Sequence, residues 1–103
     1  MDIVGTWTLP TVRDSGGPLP IEEISHTMIE VTLDGGVTWT ELVRVPPTDP
    51  QEFRITDAEV GTWGFQGTVV DTNNRSAPPV SGTAVVPDET APGPITDFNI
   101  TLE

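Results

Sequence analysis

The stretch Thr32-Leu33-Asp34-Gly35-Gly36-Val37-Thr38-Trp39 most narrows what this chain can fold into. Asp-Gly-Gly between two β-rich runs predicts a tight hairpin. Glycine takes the positive φ angles such a turn needs, and Asp34 can cap it through the backbone ahead. Before the turn, Thr27, Ile29, Val31 and Leu33 alternate with Met28, Glu30 and Thr32; after it, Val37 to Val43 is rich in β-branched residues. Two central strands of a sheet result, and the other segments can be counted outward from them.

Composition agrees. The 103 residues include 11 Pro and 10 Gly, and no window repeats apolar residues at helical spacing for more than a turn. Short β-rich segments between Pro/Gly/Asp punctuation indicate one all-β domain, a sandwich or barrel. The chain has no cysteine, which excludes disulfides and thiolate metal sites. A formal charge of −12, spread along the chain, disfavours nucleic acid and anionic membrane as partners. Apolar runs never reach membrane-spanning length, and no export leader follows Met1.

Taken in order, Asp2 to Pro10 reads as a strand with Ile3, Gly5 and Trp7 on one face. Thr11 to Pro20 is a loop, and Ile21 to Leu33 a strand that is regular from about Ser25. Val37 to Val45 is the next, and core positions at both Trp39 and Leu42 require a bulge or a change of sheet between them. Glu52 to Thr56 is a short strand with Phe53 and Ile55 inward. Thr62 to Asp71 is a long one with Trp63, Phe65, Gly67 and Val69 on one face, Thr72 to Pro79 an exposed loop, and Val80 to Val86 the closing strand. This divides the chain into a sandwich core over 1–87, a Pro-rich linker over 88–94 and a C-terminal strand over 95–103. In that strand Phe98, Ile100 and Leu102 face one way.

These segments resemble a fibronectin type III domain of the kind found in bacterial and phage proteins. Trp7 with Leu9-Pro10 resembles that fold's second strand and core tryptophan. Asp34 to Leu42 resembles its central hairpin, Gly61-Thr62-Trp63 its usual Gly-Thr-Tyr, and Asp71 to Pro78 its sixth-to-seventh-strand loop. Thr90 to Phe98 resembles the family's opening. The implied fold is a two-sheet fibronectin type III/Ig-like sandwich with its first strand displaced to the C-terminus, permuted or strand-exchanged. Trp7 and Trp63 are expected to be buried and close across it. Two departures lighten the core: Trp63 replaces a tyrosine whose hydroxyl ties a corner to the backbone, and Thr27 stands where an aromatic is common.

Chemistry is sparse. Thr32 to Trp39 also fits the Asp-box of sialidase propellers, but that motif is a hairpin device, and one box cannot build a propeller. His26 is the sole histidine, and strand neighbours such as Ser25 and His26 are expected to point to opposite faces, which precludes a relay. Asp71, Asn73 and Asn74 lack the ordered spacing of a calcium loop. No catalytic, cofactor-binding or metal-ligating residue is assigned, and the domain reads as non-enzymatic.

The resemblance, joined to a start at Met1 without an export signal, implies a structural protein of a tailed-phage virion, made in the host cytoplasm. It would be a capsid decoration or head fibre, or a tail component, with other virion proteins and copies of itself as partners. Ile95, Phe98, Ile100 and Leu102 are the candidate intersubunit strand; Asp14, Ser15, Asn73, Asn74 and Arg75 sit on candidate surface-binding loops. The alternatives are a host-surface carbohydrate- or receptor-binding module, or the accessory domain of a bacterial secreted enzyme.

Overall fold

A computed structural model describes residues 1–87 and 92–102. Part of the expected linker, residues 88–91, and the last residue of the expected terminal strand lie outside the described residues. Six strands form two antiparallel sheets: β1 (Ile3–Thr6), β2 (Ile24–Thr32), β3 (Thr40–Val45), β4 (Glu52–Ile55), β5 (Gly61–Asp71) and β6 (Val80–Val86). The larger sheet has the order β3-β2-β5-β6, and among the described residues β1 pairs only with β4. A single helical turn, Ile21–Glu23, leads directly into β2.

The alternation in β2 places Thr27 and Ile29 in the interior, with Val69 and Gly67 of β5 opposite them. Val31 lies opposite Phe65 on the same face. The ladder is interrupted on both sides of β2. Glu30 pairs with Glu41 and Ile29 with Val43, so Leu42 is the extra residue of a bulge and lies 38% exposed. This locates the irregularity expected between Trp39 and Leu42 and corrects the burial of Leu42. Toward β5, Ile24 pairs with Asp71 and His26 with Val70, leaving Ser25 without an opposite residue.

The hairpin is wider than its Asp-Gly-Gly centre predicts, since Leu33 to Trp39 all lie between β2 and β3. Side chains organise it. Asp34 Oδ1 accepts from Thr32 Oγ1 at 2.6 Å and from the Thr38 backbone N–H at 2.9 Å, while Thr38 Oγ1 donates to Asp34 Oδ2. The Gly36 N–H in turn donates to Thr32 Oγ1 at 3.0 Å. Gly35 and Gly36 adopt φ of 73° and 94°, the left-handed region that favours glycine. Those hydroxyl bonds, Thr32's first, hold the Asp34 carboxyl down at about 2.

The sheets meet through a row of rings. Phe53 of β4 stands 5.0 Å from Phe65 of β5, with Trp7 6.4 Å from Phe53 and Trp63 6.4 Å from Phe65. The two tryptophans, expected to be buried and close across the sandwich, are instead the half-buried ends of this row. Around them Ile3, Ile24, Ile29, Val45, Val70 and Val86 make a core of aliphatic side chains. The Trp63 indole N–H donates to the Glu59 carbonyl at 3.0 Å, which ties the start of β5 to the turn before it.

Gly5 is the point of closest approach between ring and backbone. A Cβ built there would lie 2.0 Å from Phe53 Cε1. Because Trp7 and Phe65 flank that ring, it has little room to retreat. Gly5→Ala is expected to cost about 1–3 kcal/mol by overpacking. A urea unfolding midpoint equal to the parent's would show that the ring relaxes freely.

The expected terminal strand has no strand partner among the described residues of its own chain. Residues 92–102 carry no ladder, a bend falls at Thr96–Asp97, and Asp97 has φ of 54°. An extended segment without a partner has no interstrand hydrogen bonds to hold it.

Candidate functional site

Two depressions are built by different chemistry. The first lies at one pole, where Thr11 to Pro20 folds into a miniature hairpin. Val12 bridges Pro18, and Arg13 N–H donates to the Gly17 carbonyl at 2.7 Å. Its tip, Asp14 and Ser15, borders a hollow of about 680 Å³ shared with Arg75, Ser76 and Ala77 from the β5–β6 loop. Of the residues singled out from sequence, Asp14, Ser15 and Arg75 are thus brought together. Asn73 and Asn74 do not line the hollow; Asn74 takes φ of 60° and donates its N–H to the Asp71 carbonyl, as turn chemistry requires.

The organising group at this pole is Asp71, which the sequence marks as a turn residue rather than a calcium ligand, but not as the partner of a distant arginine. Its buried carboxylate accepts from the Arg75 N–H at 2.8 Å, the Asn73 N–H at 3.0 Å, Arg75 Nε at 2.9 Å and Arg13 Nη1 at 3.0 Å. Arg13 also bonds Glu23 at 2.6 Å. The Arg75 backbone donor first, then the two guanidiniums, hold the Asp71 carboxyl down at about 2 against the opposing effect of burial. Both arginines are committed to carboxylates, so this pole is a structural clasp before it is an anion site. The chain separation of Arg13 and Asp71 hid the pairing; turn residues on either side were its only trace.

A bulge also overturns the expected divergence of Ser25 and His26. With Ser25 displaced from the ladder, its Oγ lies 2.9 Å from His26 Nδ1. The pair sits outside both depressions, and no carboxylate hydrogen-bonds the ring among the described residues. No group of three or more His, Cys, Asp or Glu side chains that could hold a metal ion occurs among the described residues.

The second depression is a cleft of about 460 Å³ between β1 and the face of β2 and β5. Its walls include Trp7, Ile29, Phe53, Phe65, Val69 and Val80, an apolar lining continuous with the ring row. Along its rim runs β1, bonded to β4 on one side and to no other strand among the described residues. The unpaired side can be identified. Trp7 N–H donates to the Gln51 carbonyl and the Met1 carbonyl accepts from Ala58 N–H. The odd-numbered residues therefore turn their backbone groups toward β4, and by the alternation of an antiparallel ladder Val4 and Thr6 turn theirs outward. An apolar slot beside an unsatisfied strand edge is suited to accept a polypeptide in extended form. The open edge is what the resemblance implies for a chain whose first strand is displaced to the C-terminus. The apolar slot beside it was not visible in sequence, where the alternation of Ile3, Gly5 and Trp7 was its only trace.

No protein-family model matches the chain, and neither a curated protein nor a solved structure matches it.

Proposed function

We propose that this chain is a non-enzymatic assembly module, a fibronectin type III-like sandwich serving as a structural component of a tailed-phage virion. The observation that carries the reading is the free edge of β1 over its apolar cleft. A two-strand sheet facing a sheet of order β3-β2-β5-β6 is the arrangement such a sandwich takes when its first strand is withheld. An edge left open in this way favours protein–protein docking by strand addition. The acidic surface, at −12, keeps the module soluble and away from nucleic acid and anionic lipid.

The test is to raise an antibody against the chain and label tailed particles purified from cultures that express it. Label is expected on the particles, in regular positions on head or tail. Label confined to cells, with clean particles, overturns the virion assignment. The hollow bordered by Asp14 and Arg75 has no aromatic side chain on which a sugar ring could stack. Saturable binding on a glycan array, lost in Arg75→Ala, would instead assign the module to the host surface.

A further inference from the structure

We infer that the cleft beside β1 receives Phe98–Leu102 from a second copy of this chain, added antiparallel to the free edge. This rests on the proposed assembly role and names the partner. The donor is the most exposed apolar segment among the described residues: Phe98 is 72% exposed, Ile100 86% and Leu102 100%. Extended, these three side chains share one face, with Asn99 and Thr101 on the other. The bend at Thr96–Asp97 is closed by Asn99 Nδ2 donating to the Asp97 carbonyl at 2.9 Å, so it delimits the donor to five residues against the four of β1. With Ile100 opposite Gly5, Leu102 falls beside Ile3 and Phe98 beside Trp7, all at the mouth of the apolar slot. Thr101 then lies opposite Val4, whose outward N–H and C=O it satisfies.

Polarity favours a second copy over the chain's own domain. Val86, the end of β6, lies opposite Gly61, and Met1 bonds Ala58 three residues earlier, so β6 ends at the pole where β1 begins. An antiparallel partner of β1 must enter at the other pole, beside Thr6. The chain's own tail would have to travel the length of the sandwich and reverse, although Pro87, Pro92 and Pro94 stiffen its path. A copy stacked pole to pole presents its Thr6 end to the departing tail, which enters without reversal. This contact is heterologous, so it propagates into a ring or a filament rather than a closed pair. Each copy is strongly acidic, so association should tighten as salt screens the repulsion.

Sedimentation of the full chain is expected to show species larger than the monomer, increasing with protein and with sodium chloride. The double variant Phe98→Asp/Ile100→Asp should associate at least about tenfold more weakly. Its unfolding midpoint should equal the parent's at protein concentrations low enough that both are monomeric, because both side chains are solvent-exposed in the single copy. The absence of cysteine permits a direct check. Val4→Cys/Thr101→Cys treated with a short bis-maleimide should yield a ladder of covalent multimers on a denaturing gel. A monomer-sized internal cross-link would overturn the inference in favour of self-insertion. A full chain that stays monomeric, with no ladder, would overturn it outright. Monomeric protein that still labels particles would remove the second copy alone, whereas self-association with unlabelled particles would remove the virion assignment alone.

Discussion

Phe53→Ala should lower the unfolding free energy by about 3 kcal/mol, the lower end of the range for removing a large aromatic, because the ring keeps some exposure. Within the row, Phe53 is the ring that crosses from the small sheet to the large one, with Trp7 at 6.4 Å and Phe65 at 5.0 Å. It belongs to β4, which with β1 forms a sheet too small to stand alone. Its loss removes the main apolar tie between the sheets and enlarges the cleft that it lines. Urea unfolding followed by tryptophan fluorescence measures the cost, and Trp7 should report it directly. A loss below about 1 kcal/mol would mean that the aliphatic core, not the ring row, joins the sheets.

The second large effect is electrostatic. Asp71→Asn should lower the urea midpoint at neutral pH, since two arginines and two backbone donors lose their shared carboxylate. It should also change the acid limb of the stability curve. Folding lowers the Asp71 carboxyl from its ordinary 3.8 to about 2, so between those values the unfolded chain binds more protons than the folded one. The stabilisation is complete above roughly pH 4 and is lost as pH falls toward 2. Asp34 titrates in the same window, so the single variant should flatten the acid limb and Asp71→Asn/Asp34→Asn should flatten it further. An acid limb identical to the parent's in both variants would show that these carboxylates are no better placed in the folded state than in the unfolded chain.

Much of the strand plan was legible because period-two alternation is local: Thr27, Ile29 and Phe65 declare their faces within a few residues. The ends and irregularities were not. Thr38 reads as a strand residue, yet its hydroxyl and that of Thr32, the last residue of β2, both bond Asp34 and widen the hairpin. Ser25 reads as an ordinary strand position, yet a skipped partner turns it toward His26. Trp7 and Trp63 read as a buried pair because they lie on strands that face each other in the resembled fold, whereas Phe53 and Phe65 occupy the centre of the row and leave the indoles at its ends. Arg13 and Asp71 carried no mutual signal, because an ion pair between distant loops exists only after the fold has closed. Of the candidate site, the apolar tail stood out in sequence by its own alternation. The open edge of β1 followed from the displaced first strand, whereas the slot beside it, and which side of β1 is free, required the pairing of Ile3 with Ile55 to be known.

That pairing carries a kinetic consequence. Ile3 reaches Ile55 only after the whole of β2 and β3 has been accommodated between them, so the small sheet closes a long loop for four residue pairs. The adjacent strands β2 and β3 can zip earlier, from the turn anchored by Asp34. The larger sheet is therefore the natural nucleus, and β1 is the last strand to dock and the first to be released. A partner strand bound along β1 would slow that release, so that contact between copies would lengthen the lifetime of each one's native state.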